Sequence, residues 1–203
     1  FAPRIAPERH GDLSPRDLAT LFADEPGLPQ RLSRYASTFY GTIGSETGDV
    51  LHLVTFLGPR VAHYVALQHA LAMAMSNSTL PAAVVGPLWA DCVRRALAAR
   101  LLSERIPAAN PDAAFTVGLA LDFGSALLLE RDSRPAFWAS ELRLLRSEER
   151  TERERQTFGM SRHQAFARAA AVWGLPDFIT KLVSAHHRAL GESDDPALRK
   201  ALL

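Results

Sequence analysis

Cysteine is nearly absent from this chain. Cys92 is the only one in 203 residues, which excludes an internal disulfide framework and any multi-cysteine zinc site, and fits a reducing compartment. Lysine is almost as scarce. Of 23 basic residues all but Lys181 and Lys200 are arginine, a bias that reads as the coding preference of a GC-rich bacterium and not as a function. A net charge of one sign is missing too: 23 basic against 22 acidic residues leave +1, so no overall field draws the molecule to nucleic acid or anionic lipid. The longest apolar runs, such as Ala70–Met75 and Ala126–Leu129, fall far short of the roughly 20 residues that span a bilayer. The expectation is therefore a cytoplasmic protein with no nucleic-acid partner and no membrane insertion. The chain opens Phe-Ala-Pro-Arg, without an initiator Met or a signal-peptide core, and is expected to be a fragment or a processed form. What is present in quantity is apolar: 47% hydrophobic against 22% charged, enough to build a core and to argue against global disorder.

The apolar residues recur at helical spacing almost throughout. Ser14-Pro15-Arg16-Asp17 reads as N-cap, N1 proline and N3 acid ahead of Leu18, Leu21 and Phe22. Pro26-Gly27 stops that helix, and a second is expected from Leu28 to Ser37. Tyr40 to Gly48 reads as a loop, Asp49 as the cap of a helix carrying Val50, Leu53, Val54 and Leu57, and Gly58-Pro59 as its end. From Arg60 to Met75 apolar residues crowd every face, which marks a central helix. After Ser76-Asn77-Ser78, Pro87 is expected to restart a helix running to Ile106, with Arg94, Arg95 and Arg100 solvated. Pro111 to Glu130 reads as one long apolar segment whose glycines allow close helix packing. A more polar arm starts at Ser133-Arg134-Pro135, and Glu148 to Arg155 (EERTERER) reads as a solvated charged helix with i,i+4 pairs. Ser161 to Trp173 is amphipathic, Gly174-Leu175-Pro176 a tight corner, and Asp177 to Leu190 a last helix. Strand alternation never persists and no internal repeat is present. The expected fold is all-α, a multi-helix bundle of about ten helices.

Several chemical signals are weak. Gly41, Gly44 and Gly48 do not follow a strand or precede a Gly-Lys-Ser/Thr, so they form no phosphate loop. Ser125 lacks the strand-to-helix elbow of a hydrolase nucleophile. Cys92 has Asp91 beside it and reads as a packing thiol, since an acid does not lower a thiol pKa. Met73 and Met75 read as core filler, and His52, His63 and His69 fall on different helix faces. One set is harder to dismiss: Asp91, Asp122, His163, His186 and His187. Asp122 interrupts an otherwise apolar segment, and a carboxylate there must face a polar cavity, a partner or water, or pair with an arginine. Histidine and carboxylate on separate helices are how bundles build metal sites. A helix end or an arginine pair accounts for the same residues without any metal.

The order and spacing of these residues resemble a known family. Leu88-Trp89, then Ala114-Phe115, then Gly118-Leu119-Ala120-Leu121-Asp122-Phe123-Gly124, His163, Trp173-Gly174-Leu175-Pro176 and His186-His187 are similar to HDOD domains, the HD-related output domains of bacterial signalling proteins. Leu32 to Gly41 (LSRYASTFYG) resembles that family's "LLRLANSAYYG" segment, and Val50 to Arg60 (VLHLVTFLGPR) its "AI..LG" helix. The resemblance covers about residues 12–190. It implies an N-terminal helical subdomain over 12–78 and a C-terminal HD-like subdomain over 79–190, together one unit flanked by 1–11 and 191–203. Trp173, Gly174 and Pro176 are expected to be structural: a core ring, a left-handed C′ glycine and an N1 proline.

The departures from the family bear on the chemistry. Catalytic HD phosphohydrolases, the distant relatives of HDOD domains, hold divalent metal with a His-Asp doublet. Here Leu121 stands where that histidine is expected, leaving Asp122 alone; Asp91 stands where a histidine is common, and Ala36 replaces the asparagine of the "NS" pair before Ser37. The resemblance therefore implies no enzyme, no metal and no cofactor, but a signal-transduction scaffold binding a regulatory protein such as a kinase, a receiver or a cyclic-dinucleotide enzyme. The alternative is a degenerate phosphohydrolase whose pocket senses or slowly hydrolyses a nucleotide, with Arg94, Arg95, Arg162 and Arg168 either holding its phosphate or remaining surface charges. The partner surface is expected on the arm, where Phe137, Trp138 and Leu142, with Leu144 and Leu145, precede Glu148, Glu149, Glu152 and Glu154. An apolar anchor beside a charged rim is the layout of an interface; the same stretch also reads as core closure beside a solvated helix.

Overall fold

The structure, a computed structural model, describes residues 14–41, 49–107, 109–173 and Val183. Among them every regular element is a helix. They are α1 (Pro15–Ala23), α2 (Leu28–Tyr40), α3 (Val50–Leu57), α4 (Pro59–Ser76), α5 (Ala82–Ser103), α6 (Pro111–Ala120), α7 (Phe123–Leu129), α8 (Pro135–Leu144), α9 (Ser147–Phe158) and α10 (Arg162–Val172). The all-α fold expected from the periodicity is the fold observed.

Local chemistry accounts for the boundaries. The Asp17 amide donates to the Ser14 hydroxyl while the Ser14 amide donates to the Asp17 carboxylate, a reciprocal cap that starts α1. Asp49 accepts the Leu51 amide at 2.9 Å to start α3, and Asn110 accepts the amides of Asp112 and Ala113 to start α6. Gly58, at φ +79°, joins α3 to α4 through a bend of 114°, a backbone turn that a side chain would strain.

The first four helices pack on one another, α1 and α2 against α3 and α2 against α4. Ten consecutive residues of α4, Ala62 to Leu71, are buried, so this helix is central as its apolar faces imply. It reaches α6, where the Gln68 amide donates to Thr116 Oγ1 at 3.0 Å. The second half is organised by α5 lying along α6, and by α7 against α10. One continuous apolar core runs from Leu18 through both halves to Val183.

Three local expectations are corrected. Pro87 does not start a helix but lies inside α5, which begins at Ala82. The 111–130 segment is two helices, broken at Leu121 and Asp122. With the bent pair α3–α4 taken together, it is one of two described stretches long and apolar enough to cross a membrane, and most of it is buried in the core. Arg100 is not solvated. Only 18% of its side chain is exposed, because it bridges Asp112 at 2.7 Å and Glu104 at 3.4 Å and covers the Phe39 ring. Tyr35 donates to the same Asp112 carboxylate, and burial together with that bond pushes its phenol well up.

Candidate functional site

The break between α6 and α7 places Asp122. The Ser125 amide donates to the Asp122 carbonyl at 2.9 Å, turning the chain, and the carboxylate points into the packed interior with 3% of its side chain exposed. Two arginines from different helices meet it there: Arg95 of α5 on Oδ2, and Arg162 of α10 with Nε at 3.4 Å from Oδ1. Arg162 reaches further. Its Nη1 donates to Glu154 Oε1 at 3.0 Å, and its backbone amide donates to Glu154 Oε2 at 2.9 Å. Arg150 Nε donates to Glu154 Oε1 at 3.1 Å, and Arg150 Nη2 to Ser125 Oγ at 2.8 Å. The result is a chain of alternating charge, Arg95–Asp122–Arg162–Glu154–Arg150, tying α5, α7, α9 and α10 together.

The centre of this chain is buried. Arg162 is 5% exposed at its side chain and Glu154 is fully buried. Burial lowers the Arg162 guanidinium from its ordinary value, Arg150 acts in the same sense, and Glu154 and Asp122 oppose both. Buried charges are tolerable only when paired and hydrogen-bonded; here every one is paired, and Asp122 Oδ1 alone meets its arginine without a hydrogen bond. Close backbone approach makes the geometry possible: a Cβ on Gly124 would lie 1.8 Å from the Arg162 carbonyl oxygen, so only glycine lets α7 and α10 meet there. Gly118 plays the same part against the Ala96 backbone, where a Cβ would sit at 2.8 Å.

Of the other expected site residues, Asp91 lies apart from Asp122. It faces outward from α5, held by Arg94 and by Arg143 of α8 at 3.1 Å. His163 is buried next to Arg162. His186 and His187, with Gly174 and Pro176, lie outside the described residues. Trp173 is half-buried, its ring edge-on to Phe123 at 5.8 Å. Cys92 is fully buried, and burial with the nearby Asp122 pushes its thiol up to about 12, the behaviour of a packing residue.

Three residues leave the expected partner surface: Trp138 turns inward, half-buried against the core. Leu142 is buried beneath α8, and Glu154 is the buried acid described above. Both follow from helical spacing: Leu142 shares the inner face of α8 with Trp138, four residues before it, and Glu154 shares the inner face of α9 with Phe158. Trp138 packs on Phe158 at 5.9 Å and lies under Arg134 and Arg153. What stays exposed is Phe137 and Leu144, seven residues apart on the outer face of α8, with Glu148, Glu149 and Glu152 on α9. Sequence reasoning missed Arg150, Ser125 and the inward role of Arg162. The available signal was Phe158 four residues after Glu154, an apolar side chain marking the inner face of an otherwise charged helix.

These residues do not fit a divalent metal. Leu121 offers no lone pair and lies in the core, and both oxygens of Asp122 already face guanidinium groups. Among the described residues no three His, Cys, Asp or Glu side chains converge as a metal site does.

The HDOD domain model matches residues 8–189, nearly the whole chain. The chain belongs to the HDOD domain family. An HDOD domain protein of unknown function from Geobacter sulfurreducens has a similar solved structure, with TM-score 0.69 and 20% identity over 100% of this chain and 70% of that one. The MmoQ response regulator from Methylococcus capsulatus also matches, at 22% identity over 94% of this chain and 73% of that one, with TM-score 0.44. No curated protein matches. Within the HDOD fold, Leu121 and Asp122 occupy the break between α6 and α7, and Arg162 and Arg95 fill the space around the remaining acid.

Proposed function

We propose that this HDOD domain is a non-catalytic output or scaffold module that binds a regulatory protein. The observation that carries this reading is the state of Asp122: buried, next to Leu121, and neutralised by Arg95 and Arg162. A carboxylate so engaged neither collects a metal nor serves as a base, because each role needs a free lone pair. The reading of a nucleotide pocket loses support from the same cluster, since Arg162, one of the four arginines suited to a phosphate, is committed to Glu154 and Asp122.

The binding surface is the outer face of α8. Phe137 is 49% and Leu144 84% exposed, while Trp138 and Leu142 on the inner face anchor the helix. Exposed apolar side chains on a helix anchored by its inner face, beside the α9 glutamates, have the composition of an interface centre and its rim. The test pairs two measurements on one preparation. Affinity capture with the intact protein should recover a regulatory protein that Phe137→Asp and Leu144→Asp fail to recover, with unchanged melting temperature. Incubation with magnesium or manganese and a cyclic dinucleotide should give no hydrolysis. Metal-dependent turnover that disappears in Asp122→Ala would overturn the reading.

A further inference from the structure

A cavity of about 590 Å³ opens between the end of α7, the end of α9 and one face of α10, and neither Asp122 nor the exposed face of α8 lines it. That volume lies within the roughly 300–1,000 Å³ of small-molecule sites. Its walls are apolar. Leu128 and Phe158 line it together with Trp173 and with Ala165, Ala169 and Val172, which recur at i, i+4 and i+7 along α10. The two alanines leave room that larger side chains would take. Two acids and two arginines also border the space, and they differ in what holds them. Glu130 accepts the Ser78 hydroxyl at 2.6 Å and the Thr79 amide at 3.3 Å, and Asp132 accepts the Arg134 amide at 2.7 Å. Arg131 has no acid at ion-pair distance among the described residues, and Arg168 Nη1 meets only the Met160 thioether, at 4.0 Å. Carboxylates only accept and guanidinium groups only donate, so the acids have their donors while the arginines keep theirs free.

We infer that this cavity binds an amphipathic anion, an apolar chain ending in a carboxylate or phosphate head. The chain replaces water against Leu128, Phe158 and the apolar face of α10, and the apolar surface so removed from water drives association. The head stays at the rim, where Arg131 and Arg168 are exposed. Both kinds of head accept the forked donors of a guanidinium group. A cationic head on the same chain is opposed by both arginines, and a neutral one gains nothing from their charge. The cavity is separate from the outer face of α8, so failure of this inference leaves the proposed function standing.

The test titrates the intact protein with octanoate, decanoate, dodecanoate and decyl phosphate below their micelle concentrations. Calorimetry reads the binding, and so does tryptophan fluorescence, because Trp173 lines the cavity. Binding should saturate at a single site, and each added methylene should tighten it about two- to fourfold. The tighter of decanoate and decyl phosphate names the head group. Decanol and decyltrimethylammonium should bind about fivefold more weakly or worse, and Arg168→Gln should weaken decanoate about two- to fivefold. Val172 is 79% exposed, so Val172→Glu should leave the melting temperature unchanged while its like charge weakens decanoate about tenfold. Phe137→Asp should leave decanoate binding as it is. No saturable binding, equal binding of decanol or of the cation, or affinity indifferent to Arg131→Gln, Arg168→Gln and Val172→Glu would overturn the inference. Arginine-dependent capture by phosphatidylglycerol vesicles without uptake of free decanoate would overturn it in favour of a membrane surface.

Discussion

Arg162→Met removes the cation at the centre of the buried charge chain while keeping much of the side-chain volume. Two carboxylates then lose a partner: Asp122 keeps only Arg95, which is 43% exposed and so screened by water, and Glu154 keeps Arg150 and the backbone amide of residue 162. Breaking a buried pair from one side costs about 3–5 kcal/mol, and the surviving contacts place this variant near the lower end, about 3 kcal/mol. For a chain of this length that is a fall of roughly 6–12 °C in melting temperature. The assay is thermal unfolding followed by far-UV circular dichroism, with urea unfolding alongside to confirm an unchanged slope. The decisive measurement is the double variant. Adding Glu154→Gln to Arg162→Met removes the stranded charge, so the two changes should couple by about 1–3 kcal/mol, the double variant being more stable than the sum implies. A loss below about 1 kcal/mol for Arg162→Met, or strict additivity with Glu154→Gln, would refute the idea that these charges stabilise each other.

Gly124→Ala should force α7 and α10 apart, because its Cβ meets the Arg162 carbonyl oxygen at 1.8 Å, and should cost about 3 kcal/mol by urea unfolding. Leu142→Ala and Leu144→Ala should separate the two faces of α8: about 2–5 kcal/mol for the buried leucine, and within about 0.5 kcal/mol for the exposed one. His69 lies in the core with its Nε2–H donating to the Pro26 carbonyl at 3.0 Å. Burial, with Arg31, lowers its pKa below 6.5 against the opposing pull of Pro26 and Glu25. The unfolded chain then binds the proton first, so stability falls as the pH drops through 6.5 toward the lowered value. His69→Gln should flatten the melting temperature over that window, and an unchanged slope would assign the pH dependence to other groups.

The helical class, most helix starts and the central place of α4 were legible in the sequence, because caps and the 3.6-residue period act over a few neighbouring residues. Ser14 with Asp17, and Asp49, carry their chemistry within three positions of themselves. The family pattern was legible too, since it rests on the order of residues along the chain. Leu121, standing where the resemblance expects a histidine, carried the expectation of a non-catalytic domain. What surrounds Asp122 could not be read this way. Arg95 is 27 residues before it, Arg162 is 40 after it, and they meet only because α5, α7 and α10 converge. In EERTERER charge alone does not single out Glu154; Phe158 four residues on hints at the inner face, and the packing of α9 decides that Glu154 is buried while Glu148, Glu149 and Glu152 face water. The same holds for the leucines. Apolarity is a property of the residue, but exposure of Leu101 and Leu144, and burial of Leu142, follow from which side of each helix the rest of the fold covers.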